Sequence, residues 1–519
     1  MGVLPASAMK QENKSTINSQ SNSRALFKSL SLNVISNLLL YVGHLIIARR
    51  LPRDDYATFV VVTSIVSLSA LFADLGLMGL FIRKFAEAEA LAASGSKDTR
   101  GDLLGSMLAF RLGLAIAVSI GVLFTVQSLG YTFEIRHLVS ILLVTFFISS
   151  RLVIIRSVGE AFLRAANKYH VVAALITVDA IVFTLLLYLY SITKLDLETA
   201  VWIYAFCHLP GFLLLWGIIY REAISVGFKL RFRFAIIISM LKESAPLILS
   251  TAFLTIHSQA DPLLLDKLSS PKEVSAYGAG MRVLSAIIFL PAVFSGVIGP
   301  SVTYASVTGD YEKIRSTLDR SIRLLLTCAL FIAIMLSVSS ELVTNLLFGT
   351  GKYSDAAPLV TIFGWTFIPI CFASFLTEIA VAEGKFWIPV LFTSLIMVTS
   401  IVCDLLFIPI YGALGTAIAK CIAVSIGSIA LLLTSYQLKV LDRAKIGKLF
   451  LQLGEVAACM IGILYFLNSV GLQSILLTCI MAVVSLLIIV FIFKIISYAE
   501  IRLFVLGFFA KSKISESQE

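Results

Sequence analysis

The sequence predicts an all-α polytopic membrane protein, and three observations predict it. About fourteen apolar stretches, each roughly 20 residues long, match the hydrocarbon thickness of a bilayer when wound as helices. The 519 residues are 59% hydrophobic and 14% charged, with a mean hydropathy of +0.96, well outside the soluble range. Each stretch ends in charge, Pro, Gly or Asn, so the stretches read as separate elements. Helices satisfy their own backbone hydrogen bonds, as lipid requires.

In chain order, the spans are expected at Phe27 to Ala48, Tyr56 to Ile82, Leu103 to Gln127, His137 to Gly159, Tyr169 to Tyr190 and Thr199 to Ile219. A second group follows at Pro246 to Lys267, Ser275 to Val302, Ile322 to Leu347, Ala357 to Ala382, Phe386 to Phe407 and Gly412 to Leu438. Two more lie at Leu449 to Leu467 and Ser474 to Phe493. The longest interior polar segment, Arg221 to Glu243, divides the first twelve spans into two sixes. This gives a polar cytoplasmic tail (1–26), a first six-helix lobe (27–220), a basic cytoplasmic linker (221–244) and a second six-helix lobe (245–440). Two appended C-terminal helices (446–497) and a cytoplasmic tail (498–519) complete the chain.

Charge sets the expected topology. The Ser-, Asn- and Gln-rich start lacks the short apolar core and small-residue cleavage site of a secretory signal, so the first apolar stretch is read as an uncleaved helix. The net charge of +10 is not gathered into one tract, which argues against nucleic acid as a partner. With the amino terminus inside, Lys and Arg crowd the tails and interior loops, so both termini are expected to be cytoplasmic. The exception is the first exterior loop, where Arg49, Arg50 and Arg53 stand beside Asp54 and Asp55.

Weak internal similarity supports the two sixes. HLIIARRLPRDDYATF (His44 to Phe59) and DPLLLDKLSSPKEVSAYGAG (Asp261 to Gly280) both run from a polar residue through an apolar turn and a charged pair to a Tyr that opens the next span. Repeated halves suit a transporter whose binding site lies between them.

Charges inside the spans are the candidate site residues. Four bases are embedded: Arg111, Arg151, Arg282 and Lys420. A guanidinium offers a planar fork of donors that fits phosphate oxygens in pairs. The same residues could instead snorkel to the boundary or pair with acids to hold helices together. Five acids are embedded as well: Asp74, Asp179, Asp261, Glu378 and Asp404. An intramembrane acid is a candidate for ion coupling or for charge pairing, and Asp261 adjoins Pro262, which bends a helix. Of the five histidines, His44, His137, His170, His208 and His257, only His44, His208 and His257 fall clearly within spans, and no pair has metal-site spacing. The seven cysteines are scattered through spans and read as small apolar fillers.

Several segments together resemble the oligosaccharide flippases of bacterial polysaccharide synthesis, within the multidrug/oligosaccharidyl-lipid/polysaccharide exporter superfamily. They are ADLGLMGLFIRK (Ala73 to Lys84), QADPLLLDKLSSPKEVSAYGAGMRVL (Gln259 to Leu284) and LPAVFSGVIGPSV (Leu290 to Val302). LLFGTGKYSDAAPLV (Leu346 to Val360), VAEGKFWIPV (Val381 to Val390) and IPIYGALGTAIAK (Ile408 to Lys420) follow. The resemblance implies two six-helix lobes around a central cavity that opens to either face of a bacterial cytoplasmic (inner) membrane in turn. It implies a polyprenyl-pyrophosphate oligosaccharide as substrate, for O-antigen, capsule or exopolysaccharide. The expected partners are membrane lipids and the polysaccharide polymerase and export machinery. No cofactor is expected beyond a coupling ion, H+ or Na+.

A charged headgroup with a polar sugar cannot cross hydrocarbon unaided, so a cationic internal surface is what the task needs. Small-residue runs at Gly412 to Ala417 and Ser295 to Ser301 permit close helix approach and are candidate moving seams or static packing. An enzyme is not expected. Asp54 and Asp55 lie in a short loop, and no phosphate-cradling Gly loop or nucleophile elbow is present. The alternatives are a cation-coupled multidrug exporter of the same superfamily, which would favour acids and aromatics, and a flippase for a peptidoglycan or other wall-polymer precursor.

Overall fold

The computed structural model describes residues 29, 31–74, 77–94, 98–150, 152, 154–226, 230–288, 290–291, 311–382, 384–437, 447–449, 451–458 and 462. Every regular element among the described residues is helical. Nine of the described helices are long and apolar enough to cross a membrane. The chain is an all-α, multi-pass membrane protein, and it forms two compact units, Met1–Leu263 and Leu264–Glu519.

The first unit opens with α1 (Ser31–Arg50) and α2 (Arg53–Asp74). Asp54 and Asp55 sit in the first turn of α2, where unpaired N–H groups favour negative charge. The predicted second span does not run on to Ile82. Instead α3 (Met78–Ala93) starts separately as an amphipathic helix, burying Leu77, Phe81, Phe85 and Ala88 on one side. Its outer side carries an Arg83–Glu87 pair one turn apart, at 2.9 Å.

The buried stripe of α3 joins Leu104 and Met107 of α4 (Arg100–Ser128) and Val158, Phe162 and Leu163 of α7 (Ile155–Ala165) in one core cluster. Phe85 meets Phe162 edge-on at 5.2 Å. Truncating an aromatic side chain in such a core costs about 3–5 kcal/mol.

The predicted fourth span, His137 to Gly159, is interrupted. It resolves into α5 (Phe133–Leu142), a single turn α6 (Thr145–Ile148), an extended Ser149 and then α7. After α8 (Tyr169–Thr193), the predicted sixth span is likewise divided, into α9 (Leu197–Phe206) and α10 (Leu209–Val226). Pro210 follows the break at once and has no N–H to continue the ladder. The long α11 (Phe234–Leu268) begins well before the predicted Pro246 and carries Pro246 and Pro262 internally. The boundary between the two units falls within it.

The second unit contains α12 (Pro271–Ile287), α13 (Tyr311–Phe348), a 3-10 turn at Ser354–Ala356, α14 (Ala357–Ala382) and α15 (Trp387–Gln437). Pro271 occupies the first turn of α12, where a missing N–H is harmless. The ends of α14 are those of the predicted tenth span. Gly280 and Gly364 let helices approach closely: a Cβ on Gly280 would lie 3.0 Å from the Phe363 ring, and one on Gly364 would lie 3.3 Å from Ala333.

Helix α15 is two helices joined at Gly412, whose φ of 56° and ψ of −132° suit glycine almost alone. The predicted eleventh and twelfth spans are divided at the same place. Glu273 of α12 caps the second half, its Oε2 accepting the Ala413 N–H at 2.8 Å. Most of the predicted thirteenth and fourteenth spans, both tails and the 295–301 small-residue run lie outside the described residues.

Candidate functional site

An interrupted helix inside a bilayer strands carbonyls that water cannot reach. In the first unit two fully buried arginines donate to carbonyls at the interruptions. Arg111 projects from α4 and donates from Nη1 to Ile154 O at 2.9 Å and to Ser157 Oγ at 3.0 Å. Ser157 in turn donates to Ile154 O at 2.9 Å. The break before α7 is thereby closed by a neighbouring helix.

Arg156, in the first turn of α7, reaches both interruptions. Its Nη1 donates to His208 O at 3.0 Å and, at a longer 3.4 Å, to Ile148 O. The same nitrogen stands 2.5 Å from Asp179 Oδ2 of α8, and Nε pairs with Glu160 Oε1 at 3.1 Å. Glu160 also binds Arg164 at 3.2 Å.

Asp179 is the hub on the other side. Its Oδ1 accepts the Gly211 N–H at 3.0 Å, and its Oδ2 lies 3.4 Å from His208 Nδ1. Gly211 fits only because it lacks a side chain. A Cβ there would overlap Asp179 Oδ1 and lie 2.8 Å from Arg156 Nη2. Arg156, Glu160 and Asp179 thus form a buried cluster, flanked by the part-exposed Arg164, that also uses the Gly211 N–H and the Ile148 and His208 carbonyls. Arg156, Glu160, Asp179 and His208 are all buried, so this cluster ties α7, α8 and α10 together and presents no exposed nucleophile or base.

The remaining candidates are placed as follows. Arg282 lies on α12, partly exposed, and makes no hydrogen bond or ion pair with a described residue. Lys420 is buried on the second half of α15 and Asp404 on its first half. Asp261 is buried on α11 beside Pro262. Asp74 ends α2 and Glu378 lies on α14; their side chains are outside the described set, as is Arg151 altogether. His44 is buried among Phe183 and Tyr204, with ring centroids 5.4 and 5.8 Å away, and His257 is buried on α11. His137 faces Glu198 at 3.4 Å on the surface.

Sequence reasoning singled out Arg111 and Asp179 but not Arg156, Glu160, Ser157 or Gly211. Two signals were there to use. Arg156 and Glu160 are spaced i, i+4, and Pro210–Gly211 inside an apolar run is a helix breaker.

Comparisons with known proteins agree on the fold. A family model described as "Polysaccharide biosynthesis protein" matches residues 24–304, more than half of the chain, and one described as "MatE" matches residues 246–406. A search of curated proteins found no match. Among solved structures, the chain is similar to the lipid II flippase MurJ in an inward closed conformation. The identity is 16%, over 90% of this chain and 98% of that one, with a TM-score of 0.71. It is also similar to an inward-facing multidrug resistance MATE family transporter of the MOP superfamily, at 15% identity over 79% and 94% of the two chains and a TM-score of 0.62. A third is a MOP superfamily transporter from Pyrococcus furiosus with a binding pocket of reverse polarity. There the identity is 14%, the coverage 80% and 94%, and the TM-score 0.55. At these identities the likeness concerns the fold, and the families matched are transporters and flippases rather than enzymes. With over half its length matched by that model and its helices arranged as in MurJ and MATE transporters, the chain belongs to the polysaccharide biosynthesis protein family of the multidrug/oligosaccharidyl-lipid/polysaccharide (MOP) exporter superfamily.

Proposed function

We propose that the protein is a flippase that carries polyprenyl-pyrophosphate-linked oligosaccharide repeat units across the bacterial cytoplasmic membrane by alternating access. The observation that carries this reading is Arg282. Arg282 lies on a segment that the sequence reads as a membrane span, where a guanidinium is costly unless it meets an anion, and it meets none among the described residues. A pyrophosphate would supply two or more oxygens in the geometry an Arg fork accepts. Arg111, by contrast, spends donors on Ile154 O and Ser157. Membership of a family described by polysaccharide biosynthesis supports a sugar-bearing substrate.

In this reading H+ or Na+ is the coupling ion. Asp179, Asp261 and Asp404, each almost wholly buried, are the candidates for its site. Both termini are cytoplasmic, and the polymerase and export machinery act on the product beyond the membrane.

The test is deletion of the gene in its host, followed by complementation with wild type, Arg282→Ala and Arg282→Lys. Lipid-linked oligosaccharide and surface polymer are both measured. The expected outcome is that the deletion accumulates complete repeat units and loses surface polymer. Arg282→Ala, expressed at wild-type level, fails to restore it, and Arg282→Lys restores it in part. Normal polymer in the deletion strain, with raised sensitivity to cationic drugs, would make the protein a multidrug exporter. Accumulated wall precursor would make it a wall-polymer flippase.

A further inference from the structure

Between α10 and α11 the chain crosses the first turns of α4 as an extended strap, residues 230–233. Its backbone is fastened there. The Arg231 N–H donates to Gly101 O at 3.3 Å, and the Arg233 N–H donates to Ser106 Oγ at 2.8 Å. Ser106 Oγ completes the set with a long bond of 3.5 Å to Arg231 O. Arg233 Nε pairs with Asp102 Oδ2 at 2.9 Å. Gly105 makes the crossing possible, because a Cβ there would stand 2.7 Å from Arg231 N and 2.8 Å from Arg231 O.

This fastening leaves three large apolar side chains outside. Leu230, Phe232 and Phe234 are 57%, 56% and 59% exposed, and they alternate with Arg231 and Arg233 as an extended chain requires. Both helices that meet at the strap are candidate membrane spans, and both begin there: α4 at Arg100 and α11 at Phe234. The strap therefore lies where two candidate spans begin.

Three acids of the neighbourhood are already matched. Asp98 binds Arg100 at 2.8 Å, Asp102 binds Arg233, and Glu243 binds Lys84 at 2.8 Å. The Arg100 guanidinium holds the Asp98 carboxyl below its ordinary range, so that acid stays ionised and committed to its partner. The Arg231 guanidinium has no acid partner among the described residues.

We propose that residues 230–234 form a docking strap for anionic phospholipid headgroups in the leaflet where α4 and α11 begin. Phe232 and Phe234 seat at the acyl boundary and Arg231 meets the headgroup phosphate. Interleaved aromatic and basic residues at a span entrance match a surface that offers hydrocarbon and negative charge within a few ångströms of each other. A soluble acidic partner would match the arginine but would leave the three apolar side chains unexplained. The inference does not depend on which substrate is transported.

The experiment uses the full chain purified in detergent, supplied with phosphatidylglycerol or phosphatidylcholine and read by native mass spectrometry. Wild type is expected to retain several-fold more phosphatidylglycerol than phosphatidylcholine. Arg231→Gln is expected to abolish that preference, and Phe232→Ser to reduce retention of both lipids. Neither side chain packs in the core, so both variants fold. Gly105→Ala, which pushes the strap off α4, should also lower phosphatidylglycerol retention. Unchanged phosphatidylglycerol retention in Arg231→Gln and Phe232→Ser overturns the proposal.

Discussion

Arg156 shows how much one side chain holds in place within the first unit. It joins two carboxylates, from α7 and α8, and two carbonyls, from α6 and the α9–α10 junction, while fully buried. Removing one member of a buried ion pair leaves the other charge uncompensated and costs about 3–5 kcal/mol. Arg156→Ala should therefore lower stability in detergent by about that amount. Asp179→Ala should cost a similar amount, and the double variant clearly less than the sum, because the second change removes a charge already orphaned. Additive losses in an unfolding experiment would show that the two side chains act independently. The exposed pair Asp98–Arg100 behaves differently. Hydrogen bonds from Arg100 hold the Asp98 pKa below its ordinary carboxylate value. The stabilisation is present above that value and is lost as pH falls through the depressed folded pKa. Asp98→Asn should therefore show a small deficit near neutral pH that fades in acid, in melts run as a pH series.

At the scale of elements, both units contain interrupted helices, and different groups close the gaps. In the first unit arginine donors bridge the interruptions, and His208 O accepts from both Arg156 and the Phe212 N–H. In the second unit the interruption at Gly412 exposes an N–H, and the closing group is the Glu273 carboxylate. The sign at Gly412 follows from backbone polarity, since a helix N-terminus attracts an anion. Replacing Glu273 with Ala should cost about 0.5–2 kcal/mol, as for loss of other N-caps. Glu273→Gln should recover part of this, since an amide oxygen still accepts, and thermal unfolding of the three proteins checks the order. The apolar periodicity showed that these segments are membrane helices but not where they break. Hydropathy averages over a whole span, whereas a break is decided by a few residues such as Pro210, Gly211 and Gly412.

At the scale of the molecule, two kinds of embedded base separate. Arg156 is held by protein groups, and Arg282 by none among the described residues. Arg156→Ala should therefore act first on stability. Arg282→Ala should act on transport, with its melting transition unchanged, and measuring both quantities on both variants distinguishes the roles. By itself the sequence determined that the chain is helical, multi-pass and of this exporter superfamily. Those properties follow from local averages, the length and apolarity of each run, and from short motifs in order. It also located α14 end for end and the division at Gly412, because charge or glycine sits at each boundary. Only the tertiary structure decided that Arg111 caps a broken helix and that Asp179 answers Arg156. It also decided that a basic, aromatic strap is fastened over Gly105. These pairings join residues tens to more than a hundred positions apart. Charge identity is written along the chain, whereas the partner of a charge is set by which helices pack side by side.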